Sequence, residues 1–184
     1  MRIVGVDPGS MHTGYGCIQK SGSRLKVLVS GVISPPARAT FPEKLLMVYV
    51  GLSKLLKEHE PEVVAIEDLF YARNARSASK LGHVRGVAML AAAEVGIPVA
   101  EYLPTQVKQA VVGYGRAEKQ QVRDMVMLLL GLKSPPRKLD VSDALAVAIC
   151  HAHLVGSIET EVPLSSSKGV PRTWRRYRPD QIEQ

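Results

Sequence analysis

Short apolar runs and stretches of helical periodicity alternate along the chain. Residues 3–6 are apolar and end on Asp7, and Pro8, Gly9 and Ser10 follow at once, residues that stop a strand and turn the chain. Residues 13–19 and 25–33 read as two further strands with a turn at 21–24, so the first three strands predict an antiparallel meander. From Pro42 to Glu58 the residues Leu45, Leu46, Val48, Leu52, Leu55 and Leu56 recur at helical spacing, and a proline suits the first turn. Residues 62–67, EVVAIE, form a short run without alternation, as expected of a central strand covered on both faces.

After a loop at 68–75, a long helix is predicted over 76–95 and ends at Gly96. Gly82 and Gly86 are four apart on it and share a face, where missing side chains allow another helix to approach. A glycine costs a helix about 1 kcal/mol relative to alanine, so the pair calls for a packing reason. A strand at 99–102, a short helix at 104–112 and a helix at 118–130 come next, the last with Val122, Met125, Val126 and Leu129 inward. Val141, Leu145, Ala148, Ile149 and Ala152 draw a final apolar stripe over 140–154. The order predicts the α/β class: a mixed five-stranded sheet, three antiparallel strands and then parallel ones, flanked by helices on both faces.

The length of 184 residues suits one core, with a domain at 1–156 and a tail at 157–184. That tail holds Lys168, Arg172, Arg175, Arg176 and Arg178 with Trp174 and Tyr177 between them. It reads either as a flexible nucleic-acid arm or as a solubilising tail. Hydrophobic residues at 46% and charged residues at 22% exclude disordered and fibrous classes. Neither a signal peptide nor a membrane-spanning run is seen, and Cys17 and Cys150 suit buried thiols in a reducing compartment, so a cytoplasmic location is expected. A net charge of +7 fits a polyanionic partner such as nucleic acid, with an anionic membrane surface as the weaker fit.

The chemistry resides in four acids. Asp7 and Glu67 each end a strand, and if those strands are parallel neighbours, about 4.8 Å apart, both carboxylates emerge at the carboxyl edge of the sheet. Asp140 and Asp143 lie three apart at the start of the last helix and project on one face, where acids also favour the helix dipole. Four converging carboxylates repel unless cations neutralise them, and an all-oxygen set suits Mg²⁺ or Mn²⁺. Two ions, one activating water and one stabilising the leaving oxygen, would hydrolyse a phosphodiester.

Four blocks, GVDPGSMHTGYG, AIEDLFYARNARSASKLGHVRG, QVKQAVVGYGRAEKQQV and DVSDALAVAICHAH, occur in the order in which they stand in the bacterial Holliday junction resolvases, the RuvC family, which the chain resembles from about residue 2 to 153. The resemblance implies an RNase H-like fold and a homodimer that nicks opposing strands of a four-way DNA junction in recombination and repair. It also implies two Mg²⁺ per site, with Mn²⁺ able to substitute, 5′-phosphate products, and work with a branch-migration helicase complex, RuvA and RuvB. Asp7, Glu67, Asp140 and Asp143 match the catalytic, metal-binding acids. Lys108 and Lys119 match lysines near the cleaved phosphate, Phe70 an aromatic at the junction centre, and Gly82 and Gly86 a dimer contact. Arg73, Asn74 and Arg76 suit phosphate contacts. Two rival readings come from elsewhere: the DPGS turn resembles the phosphate loop of actin-like kinases and ATPases, and the fold could serve a non-catalytic branched-DNA-binding module. Of the five histidines none gains a role, His12 included.

Overall fold

Proline and glycine punctuation cuts the chain into ten elements in this computed structural model, which describes residues 1–68 and 75–158. Phe70, Arg73 and Asn74 lie outside the described residues, as does the basic tail from 159 on. The order is β1 (Arg2–Asp7), β2 (Thr13–Ser21), β3 (Arg24–Ile33), α1 (Phe41–His59), β4 (Val63–Glu67), α2 (Ala75–Glu94), β5 (Val99–Tyr102), α3 (Pro104–Val112), α4 (Lys119–Leu130) and α5 (Leu139–Ile158). The sheet runs β3-β2-β1-β4-β5. β1, β2 and β3 pair antiparallel, as a hairpin turn at Gly22 (φ 61°) permits. β4 joins β1, and β5 joins β4, in parallel through helical crossovers. This is the mixed α/β sheet expected from the sequence.

Alternation along the strands divides the interior into two cores. Ile3, Ile18, Val63 and Ala65 face α3, α4 and α5, while Val4, Val6, Cys17, Val64 and Ile66 face α1 and α2. β4 is thus covered on both sides, which explains its unbroken apolar run.

Element boundaries fall within two residues of expectation except at α5, which extends to Ile158. Its single predicted stripe is also too narrow, because Ala144, Leu145, Ala146, Val147, Ala148, Ile149, Cys150, His151 and Ala152 are all buried. α5 is wedged between the sheet and the pair α3 and α4, so it has no solvent face there and needs small or apolar residues all round. Among the described residues no helix is long and apolar enough to cross a membrane.

Candidate active site

Asp7 closes β1 opposite Gly14 of β2. The turn after it is pinned from within: the Thr13 hydroxyl donates to the Gly9 carbonyl at 2.9 Å, and Thr13 is fully buried. A side chain at Gly9 would overlap the His12 carbonyl, so the tight return of the chain requires glycine. Glu67 closes β4, whose parallel register with β1 sets Ile66 beside Val6, so that the two acids end neighbouring strands. The next residue is anchored too. Asp68 N–H donates to the Tyr102 carbonyl at 2.7 Å, and the half-buried Arg85 of α2 pairs with Asp68 at 3.0 Å and with Glu101 of β5.

The other two acids reach the site because α5 rests almost directly on strand backbone. A Cβ at Gly14 would overlap the Asp140 carbonyl and lie 3.0 Å from the Asp140 Cβ; one at Gly5 would overlap the Ala144 carbonyl oxygen and approach Ala148 N to 2.9 Å. At Gly16 the obstacle would be the Leu145 side chain, its Cγ at 2.8 Å. These three glycines form a side-chain-free seat, and it presses the first turn of α5 against the end of β1.

Electrostatics show how closely the acids are gathered. Burial pushes the Asp7 carboxyl up to about 7, with the charges of Asp143, Glu67 and Asp140 pushing the same way and Lys119 opposing them. Glu67 is likewise raised, first by burial and then by Asp143, against Lys119 and Lys108. Lys119 is held more firmly protonated, chiefly by Asp143, which its ammonium approaches at 3.4 Å. A cleft runs between α3, α4 and α5 with Glu67, Lys108, Lys119 and Asp143 as its charged lining. As the side chains stand, no three His, Cys, Asp or Glu residues among the described ones form a finished ligand set. The oxygen-only donors together with the suppressed ionisation of Asp7 fit a hard divalent ion.

The remaining candidates separate. Arg76 stands exposed in the first turn of α2. Gly82 and Gly86 line an apolar groove with Leu45, Val87 and Leu90 on the far side of the sheet. His151 accepts or donates a 2.6 Å hydrogen bond with the Tyr102 hydroxyl, and His153 meets the Ala110 carbonyl at 2.8 Å, so both serve packing between elements. Sequence reasoning passed over the Gly5, Gly14 and Gly16 seat and the Arg85 anchor. The spacing of Gly14 and Gly16, two apart on one strand face, was the available signal.

Comparison with known proteins matches residues 3–151 to a family model described as crossover junction endodeoxyribonuclease RuvC. The crossover junction endodeoxyribonuclease RuvC of Citrifermentans bemidjiense is 54% identical over 156 residues, which cover 85% of this chain and 94% of that protein. Among solved structures, Thermus thermophilus RuvC in complex with a Holliday junction substrate superposes with a TM-score of 0.81 at 36% identity, covering 85% of this chain and 96% of that one. The yeast mitochondrial Holliday junction resolvase shares the fold at 14% identity, with a TM-score of 0.63 over 85% of this chain and 80% of its own.

Proposed function

We propose a mechanism from one premise: the chain belongs to the RuvC family of crossover junction endodeoxyribonucleases. On this reading it is a hydrolase that resolves four-way DNA junctions by paired nicks, and Asp7, Glu67, Asp140 and Asp143 are its catalytic acids. The observation that carries the reading is geometric: Asp7 and Glu67 end neighbouring parallel strands and Gly14 seats Asp140 against the same rim, a convergence that, with burial, pushes the Asp7 carboxyl up to about 7. A group so placed is unstable as an anion until a cation joins it.

The four acids would hold two Mg²⁺, or Mn²⁺ in their place, and such ions supply an activated water and stabilisation of the leaving oxygen. The protein's own part is positional and electrostatic. Asp7 would hold a cation as the carboxylate, without the proton that burial favours, and β1, β4 and α5 keep the acids in fixed relation. Lys108 and Lys119, on the cleft wall, offset the added negative charge of a phosphodiester and hold its backbone. The expected products carry 5′-phosphate ends. Phe70, Arg73, Asn74 and Arg76 follow Glu67 closely in the chain, and we assign them to the junction, Phe70 to its bases and the others to its phosphates.

A four-way junction is nearly two-fold symmetric, so paired cutting needs two sites in fixed relation. A second copy of the chain, docked on the groove of Gly82 and Gly86, would supply the second. Leu90, which lines that groove beside Leu45 and Val87, is 60% exposed, an apolar side chain suited to burial against its own like. A cytoplasmic setting and work beside the RuvA and RuvB branch-migration proteins belong to the same reading.

The test is nicking of a synthetic four-way junction beside a linear duplex, with and without Mg²⁺. The junction is cut in symmetric pairs only when Mg²⁺ is present, and Asp7→Asn abolishes cutting while binding persists. Equal cutting of both substrates refutes structure specificity. ATP hydrolysis in the absence of DNA would favour the kinase-like rival, and binding without any cutting the non-catalytic one.

A further inference from the structure

We infer that His12, Ser34 and Lys138 form a second phosphate-binding subsite, for the DNA strand that leaves the acids on the β3 side; the inference rests on the junction-cutting reading above. Three segments distant in sequence meet there. The His12 Nδ1 lies 2.9 Å from the Ser34 hydroxyl, and the Lys138 ammonium donates to that same hydroxyl at 3.2 Å. All three side chains are exposed.

Their position follows from strand register. Thr13 pairs with Ile33 as the last rung of the β2–β3 hairpin, so His12 and Ser34 stand one step beyond it, at the rim that also carries Asp7 opposite Gly14. Two strand spacings separate β1 from β3, about 10 Å, a span within reach of neighbouring phosphates of one nucleic-acid strand. Lys108 and Lys119 lie on the opposite side, toward α3 and α4. The acids are thus flanked by donor groups both ways along the rim, the arrangement a polyanionic strand crossing the site requires.

Lys138 supplies the positive charge of the patch. It precedes Asp140 by two residues, yet among the described residues it forms no ion pair with any acid, whereas Lys119 pairs with Asp143. Its ammonium turns to a neutral hydroxyl and keeps its charge uncompensated. The buried Thr13 and the Gly9 turn hold His12 at the rim from below. A charged donor, a hydroxyl and an imidazole nitrogen on one small patch are the groups that bind phosphate oxygens.

The test is equilibrium binding of a four-way junction across a salt series, with Asp7→Asn as the parent protein so that nothing is cut. Replacing Lys138 by Gln lowers the slope of log affinity on log salt by about 1 and weakens binding alike for junctions of different sequence. Lys138→Arg keeps the slope. Ser34→Ala and His12→Ala each weaken binding about tenfold or more, the loss of one hydrogen bond to a charged phosphate oxygen. An unchanged slope in Lys138→Gln, with junction binding otherwise intact, overturns the subsite and leaves the enzyme reading standing. A parent protein that binds junction no better than linear duplex refutes that reading instead.

Discussion

Two sets of glycines stand on opposite sides of the sheet, and they mean opposite things. Gly5, Gly14 and Gly16 face α5, where an added methyl would run into helix backbone or into Leu145. Gly82 and Gly86 face outward from α2, and an added methyl there meets nothing within 4 Å among the described residues. The first set is a completed contact; the second is the open face on which we propose that a second copy docks. A glycine therefore says only that something must come close. Whether that something belongs to the same chain is decided by the fold.

Gly5→Val is the severest way to break this contrast, since its branches would meet the Ala144 carbonyl and Ala148 N, backbone atoms that cannot swing aside. We expect a loss of about 3 kcal/mol or more in chemical denaturation, at the upper end for overpacking. Gly14→Ala is milder for the fold but displaces Asp140, and a shift near 1 Å at a catalytic group lowers junction cutting by about 100-fold. Wild-type cutting by Gly14→Ala would show that the seat does not position the acids. On the other face, Gly82→Leu with Gly86→Leu should leave the stability of the single chain, measured at concentrations too low for dimerisation, equal or higher, because each glycine removed relieves about 1 kcal/mol of helix penalty. The double variant should sediment as a monomer. A large fall in stability would mean that the groove is filled from within.

A separate effect concerns pH. Asp7 titrates near 3.8 when unfolded and about 7 when folded, so the native state binds the extra proton between those values. Metal-free stability contributed by this group is complete below 3.8 and is lost as pH rises through about 7. Asp7→Asn removes the dependence. Its melting temperature should exceed that of the metal-free wild type at pH 8 by about 10 °C, since a rise from 3.8 to about 7 amounts to roughly 4 kcal/mol and each kcal/mol to about 2–4 °C in a chain of this size. The gap should close below pH 4.

The sheet was readable because each strand is closed by proline, glycine or an acid, as at Asp7 and Glu67, and because Val63 to Ile66 lacks alternation. The acids could be placed on one rim once β1 and β4 were taken as parallel neighbours, and the three-residue spacing of Asp140 and Asp143 at the start of the last helix added a second pair, which the motif blocks then matched. The contacts of Gly5 and Gly14 lie some 130 residues downstream, beyond the reach of any local pattern. The same distance hid the Lys138 contact with Ser34, 104 residues apart. α5 was underestimated for a related reason: periodicity reveals one buried stripe, whereas packing between two layers buries every side.

The most direct measurement of the central claim is an NMR titration of the Asp7 carboxyl, first without metal and then with Mg²⁺. The account predicts a midpoint of about 7 in the metal-free protein, set by burial and by Asp143, Glu67 and Asp140, and a marked fall in that midpoint as Mg²⁺ is added. A midpoint at an ordinary carboxylate value, indifferent to Mg²⁺, would contradict it: the four acids would then be neighbours in sequence pattern but not a single cation-requiring site.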